Sequence, residues 1–204
     1  MEFYLAILLF TTTASITPGP NNIMIMASGV NFGIRRSLPH VFGICLGFPV
    51  MVIALGLGLG AIFESIPILH DIIKILGVAY LLYLAWLIAS SSPFEEAASP
   101  VMPLRFDQAV LFQWVNPKAW VMATGSISAY TTTVGDTLAQ VLFIAFAFFI
   151  TAGPSVMIWL MFGVGLKRYL DNAVHNRIFN IMMALLLVAS MSPVINGLIQ
   201  QYLN

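Results

Sequence analysis

Six stretches of this chain, approximately residues 3–27, 39–63, 68–90, 109–131, 138–163 and 178–200, run apolar for the length of a bilayer crossing. A helix needs about 20 such residues to span the hydrocarbon core. Of the 204 residues 60% are hydrophobic and 8% charged, where a soluble domain carries about 25% charged. A soluble core could not hide that much apolar side chain without leaving large exposed patches. The expected fold is therefore an all-α integral membrane protein of six transmembrane helices. The first stretch reads as a crossing rather than a cleavable signal, because it lacks a basic flank and a small-residue cleavage site and is too long.

Basic residues set a direction. Arg35, Arg36, Arg105, Lys167, Arg168 and Arg177 fall in the connections after the first, third and fifth stretches, and only Lys74 falls on the other side. The positive-inside rule puts the first set in the cytoplasm, so both termini face outward. The segment "SSPFEEAASPVMPLRFD" (91–107) is rich in Pro, Ser and Glu and reads as a cytoplasmic linker. A single six-helix membrane domain, 1–204, is thus expected to divide into a three-helix half (1–90), a linker (91–108) and a second half (109–204). An odd number of crossings per half gives the halves opposite topology, the 3+3 inverted repeat of many transporters. "GFPVMVIALGLGLG" (47–60) and "AGPSVMIWLMFGVGL" (152–166) share a proline, a Val-Met pair and a Gly-x-Gly.

Inside the first stretch stands "SITPGPNN" (15–22). Pro18 and Pro20 remove two backbone donors and Gly19 removes a stiffening side chain, so a helix breaks there. Freed backbone groups cannot face lipid and must face protein or a wet cavity. Asn21 and Asn22 then open a second half-helix, where asparagine is a good cap and the positive end of the dipole suits a carboxylate. The fourth stretch contains "LFQWVNPKAW" (111–120), where Asn116-Pro117 makes a second break. Counting residues puts both breaks at a similar depth, as one shared site requires. Lys118 has two readings: a cation that meets a substrate carboxylate or a helix C-terminal end, or a side chain that snorkels to the cytoplasmic surface. Gln113, one turn earlier, could add an amide. The candidate substrate-binding residues are Pro18, Gly19, Pro20, Asn21, Asn22, Gln113, Asn116, Pro117 and Lys118.

Other features read as structural. Gly43/Gly47 and Gly56/Gly60 are spacings that let helices approach closely and make a homodimer plausible. Tyr80, Tyr83 and Trp86 share a helix face and suit packing or interfacial anchoring. His40, His70 and His175 fall in loops or at helix ends and read as solvated. The single cysteine, Cys45, rules out an intramolecular disulfide or a two-cysteine shuttle. No metal, cofactor, catalytic cluster, nucleotide-binding loop or nucleic-acid surface is read from the residues.

With "TPGPNNI", "GVAYLLYLAW" (77–86), "VNPKAW" and "NIMMALLLV" (180–188) in place, the chain resembles the LysE/RhtB translocator family of amino-acid exporters, over essentially its whole length. The doubled asparagine and "LFQWVNPK" are most similar to its cysteine/O-acetylserine exporter group. The resemblance implies a secondary-active exporter of the bacterial inner membrane. All eight acidic residues lie at helix ends or in loops, so a cationic side chain would lack an anion, which favours neutral amino acids over lysine or arginine; the resemblance implies small ones or derivatives such as cysteine, O-acetylserine, homoserine or threonine. The coupling ion, H+ in the family, is implied by resemblance alone. The alternatives are an exporter of another small solute, or a non-transport membrane subunit or channel.

Overall fold

A computed structural model describes residues 2–91, 102–132, 136–170 and 172–203. The expected linker therefore lies mostly outside the described residues. In chain order the helices are α1 (Glu2–Ile16), α2 (Pro20–Ala54), a π-helical turn (Leu55–Leu59), α3 (Gly60–Ser65), α4 (Pro67–Ala89), α5 (Phe106–Val115), α6 (Pro117–Tyr130), α7 (Thr137–Lys167), α8 (Ala173–Ala189) and α9 (Ser192–Leu203). Among the described residues there is no strand. Among the described residues four spans are long and apolar enough to cross a membrane: Pro20–Ile62, Asp71–Ala89, Thr137–Lys167 and Ala173–Gln200. Large apolar side chains such as Leu9, Leu57, Ile158 and Leu185 are more than half exposed. Water would penalise such a surface, whereas lipid tails suit it, so the protein is membrane-embedded.

The loop expected around residues 28–38 is overturned. Two helices abut inside α2 at one residue, Gly33, whose φ of 75° and ψ of −177° suit a residue without a Cβ. Ser37 Oγ donates to the Gly33 carbonyl at 2.8 Å, which meets one acceptor exposed by the kink. Arg35 and Arg36 follow directly and are exposed. His40, read from sequence as solvated, is instead 1% exposed within α2. A one-residue junction leaves no length for a loop, so the helix resumes early and carries His40 inward. His175 is exposed beside Asn172, the cap of α8.

The first part of α2 is the axis of the molecule. Every residue from Asn22 to Asn31 is buried, the pattern of a helix enclosed on all sides. Helices α5, α7 and α8 pack against α2, and α8 also packs against α4. The closest approach is to α7. A Cβ on Gly29 would lie 2.5 Å from the Leu160 carbonyl oxygen, and one on Gly163 would run into the backbone carbonyl of Met26. Gly43 and Gly47 play the same part against α5: a Cβ on Gly43 would lie 2.5 Å from Ala109 Cβ, and one on Gly47 2.8 Å from Val110 Cα. Gly56 meets Val141 of α7. Three of the four glycines that suggested a homodimer face are thus used within the chain.

Asn180, buried on α8, ties three elements together. It exchanges hydrogen bonds with Asn31 at 2.8 and 3.1 Å and donates to the Ser91 carbonyl, just beyond α4, at 2.7 Å. On the outer surface Tyr83 and Trp86 are 51% and 63% exposed.

The crossing of α2 and α7 gives a prediction. Gly163→Ala should lower stability by about 1–3 kcal/mol, because backbone cannot yield as a side chain can. Gly165→Ala, two residues on with nothing near its Cβ position, should leave it unchanged or slightly raised. Thermal unfolding of the two variants in the same detergent measures the difference.

Candidate functional site

Helix α1 stops at Ile16 and α2 starts at Pro20, so the last carbonyls of α1 lose their intrahelical partners inside an apolar protein. Other elements supply the donors. Asn22 Nδ2 donates to the Ser15 and Thr17 carbonyls, both at 2.8 Å. Trp159 of α7 donates its indole N–H to the Ile16 carbonyl at 2.9 Å. Lys118 Nζ donates to the Thr17 carbonyl at 2.6 Å, to Thr17 Oγ1 at 2.8 Å and to the Pro18 carbonyl at 3.3 Å. The three donors of the ammonium thus meet three oxygens at the negative end of α1, where a cation is favoured by the helix dipole.

The start of α2 is different. Its N-cap is Gly19, in fully extended backbone, and no side chain caps it. The expectation that an asparagine caps this helix is corrected: Asn22 turns back to α1, and Asn21 pairs across to α5. Asn21 Nδ2 donates to Gln113 Oε1 at 2.8 Å, and Gln113 Nε2 donates to Asn21 Oδ1 at 3.3 Å and to the Ala109 carbonyl at 2.8 Å. A Cβ on Gly19 would sit 2.5 Å from Lys118 Cδ, so glycine leaves room for the lysine stem.

Asn116 sits between α5 and α6, and its side chain caps α6 by accepting from the Lys118 backbone N–H at 3.1 Å. That cap holds Lys118 in the first turn of α6, pointing at the α1 break. Next to these groups lies a cavity of about 430 Å³, counting space continuous with its surroundings. Its polar wall is Ser15, Gly19, Asn21, Asn22, Asn116 and Lys118, and its apolar wall includes Phe48, Met122 and Val156. Two helix N-termini, those of α2 and α6, reach this cavity beside a cation. No carboxylate lines it among the described residues.

Of the sequence-derived residues, Gly19, Asn21, Asn22, Asn116 and Lys118 come together on this wall. Pro18 contributes only its carbonyl, and Pro20 is buried as the first residue of α2. Gln113 is fully buried and acts through Asn21. Pro117 lies apart, on an apolar cleft with Lys74 and Trp120. Sequence reasoning missed Ser15, Thr17 and Trp159. A tryptophan in an apolar run has no local signal that it caps a helix 143 positions away, whereas Thr17, beside the Pro-Gly-Pro, could have been included.

These features define a membrane-embedded helical protein with a cavity among its helices that has one polar and one apolar wall. Residues 12–190 match the LysE type translocator family, and the chain belongs to that family. It is 29% identical over 180 residues to the cysteine/O-acetylserine efflux protein of Salmonella typhimurium, covering 88% of this chain and 90% of that one. The protein of the same name from Escherichia coli K12 is 28% identical over the same shares. No solved structure matches the chain.

The capping of α1 is testable through stability. Asn22→Ala removes the side-chain donor to the Ser15 carbonyl and one of two donors to the Thr17 carbonyl, and should cost about 1–3 kcal/mol. Trp159→Phe strands one carbonyl, keeps most of the packing, and should cost less. Thermal unfolding of each variant in detergent checks both the direction and the order.

Proposed function

We propose that this protein is a secondary-active exporter of small neutral amino acids or derivatives, of the cysteine, O-acetylserine, homoserine or threonine kind, in the bacterial inner membrane. The observation that carries this reading is Lys118 with its ammonium on the carbonyl end of α1, at a cavity that also holds the uncapped start of α2. An α-amino acid brings both an ammonium and a carboxylate. Its ammonium takes over the Thr17 and Pro18 carbonyls that Lys118 now occupies. Lys118 then turns to the carboxylate, which also meets the α2 N-terminus and Asn21. One cation replaces another, so no buried charge is left unpaired during the exchange, which would be costly. Family membership and the named activity of the relatives support the amino-acid class, and the absence of a lining carboxylate among the described residues favours neutral side chains.

In this proposal residues 2–32, 34–65, 67–89, 106–130, 137–167 and 173–203 make six crossings. The halves before and after the linker form an inverted 3+3 pair, both termini face outward, and the two interrupted crossings meet at the site. Alternating access moves the site between the two sides. Coupling to H+ is carried by the family alone.

The test uses a bacterium lacking its main cysteine and threonine exporters, fed dipeptides or amino-acid esters. Expression of the chain should raise the release of one or a few neutral amino acids. Lys118→Ala and Asn21→Ala, at equal membrane levels, should reduce the excess about tenfold or more, since each removes a charge-assisted or buried hydrogen bond. Undiminished release by both variants would move the site elsewhere. No enhanced release of any amino acid would remove the function.

A further inference from the structure

A second cavity lies farther along α2, toward the Gly33 kink, lined by Ser28, Asn31 and His40 of α2, by Leu84 and Leu87 of α4, and by Ser91 just after it, among others. It shares no lining residue with the first. Asn22 belongs to one and Asn31 to the other, and nine residues of helix separate them by about 13 Å. Two chambers thus stand in succession along the one helix that is enclosed on all sides.

His40 is what distinguishes the second chamber. It is 1% exposed, and among the described residues neither Nδ1 nor Nε2 has a hydrogen-bond partner. An unpaired polar atom in a protein interior is costly, and in a membrane no bulk solvent offsets it. The other polar groups are occupied. Asn31 Nδ2 donates to the Ala27 carbonyl and to Asn180, and Asn31 Oδ1 accepts from Asn180. Ser91 Oγ donates to the Leu87 carbonyl at 2.9 Å. The imidazole and the Ser28 hydroxyl remain for a guest.

Charge decides what that guest is. Among the described residues His40 is the one titratable side chain lining the cavity: α2, α4 and residues 102–104 add none, Arg35 and Arg36 are exposed outside it, and Arg105 and Asp107 at the start of α5 are exposed and paired with each other. Among the described residues an ammonium finds no anion here. A carboxylate accepts hydrogen bonds only, and a protonated imidazole offers two N–H donors and a positive charge. Alone among side chains, an unperturbed imidazole changes charge between pH 5 and 8.

We propose that this chamber is a second binding station, which takes the carboxylate of a small solute together with a proton on His40. The identity of that solute as an amino acid rests on the exporter reading above. Binding moves one proton from bulk water to the imidazole and breaks no covalent bond. Ser28 donates the additional hydrogen bond.

Calorimetry on the purified full chain in lipid nanodiscs tests this, with O-acetylserine and separately acetate as probes. Titration in two buffers of different ionisation enthalpy counts the protons taken up. The native protein should take up close to one proton per chain at saturation near neutral pH, and affinity at the His40 station should rise up to about tenfold per pH unit as pH falls. His40→Gln keeps a hydrogen-bonding side chain that cannot be protonated, and should abolish the uptake and flatten the pH dependence. Ser28→Ala should weaken binding but keep the uptake, which separates the station from a general loss of folding. Unchanged proton uptake in His40→Gln would overturn the proposal. Acetate binding with His40-dependent uptake, without binding or export of any amino acid, would keep the station and remove the exporter reading. Amino-acid export with binding indifferent to His40 would do the reverse.

Discussion

A helix that ends inside a membrane leaves carbonyl oxygens that lipid cannot satisfy, and the interior of this protein is arranged around four of them. The oxygens of Ser15, Ile16, Thr17 and Pro18 are met by donors from α2, α6 and α7. Each donor fixes one of the surrounding helices to the end of α1. Small residues let membrane helices pack closely, and here a set of directional bonds also sets position. One of those donors is a lysine ammonium, so in the proposed exchange the bonds that hold the fold are the ones a zwitterion takes over.

Packing then confines the site to one place. Gly29 and Gly163 let α2 and α7 meet backbone to backbone, and Gly43 and Gly47 let α5 close on the other side of α2. The enclosed run from Asn22 to Asn31 carries three polar residues in an otherwise apolar decade: Asn22, Ser28 and Asn31. Asn22 is spent on capping and Asn31 on its bonds with Asn180. Polar side chains at membrane depth are seldom incidental, and these three mark the two chambers that α2 passes.

Much of this was legible locally and some of it was not. Pro18, Gly19 and Pro20 are by themselves sufficient cause for the interval between α1 and α2, and Asn116-Pro117 for the one between α5 and α6. Lys118 stood out as a charge in an apolar run. What local pattern could not give was the partner of each group. Asn22 sits where an asparagine ordinarily caps its own helix, yet it reaches backward, because in this fold the carbonyls are the scarcer satisfied group. His40 sits beside Pro39 and shortly after Arg35 and Arg36, all of which suggest a loop, and only the one-residue kink at Gly33 turns it inward. Asn180 was visible as a lone amide in "NIMMALLLV", but its pairing with Asn31 joins residues 149 positions apart.

The most direct measurement places a reporter on the apolar wall of the first cavity. Met122→Cys, in a Cys45→Ser background that leaves no other thiol, is reacted in membranes with a permeant maleimide. If the cavity beside Lys118 binds amino acids, homoserine should slow the labelling of residue 122, and adding Lys118→Ala should abolish the protection. Labelling at the same rate with and without homoserine, in a protein that still exports it, would contradict the assignment of this cavity as the substrate site.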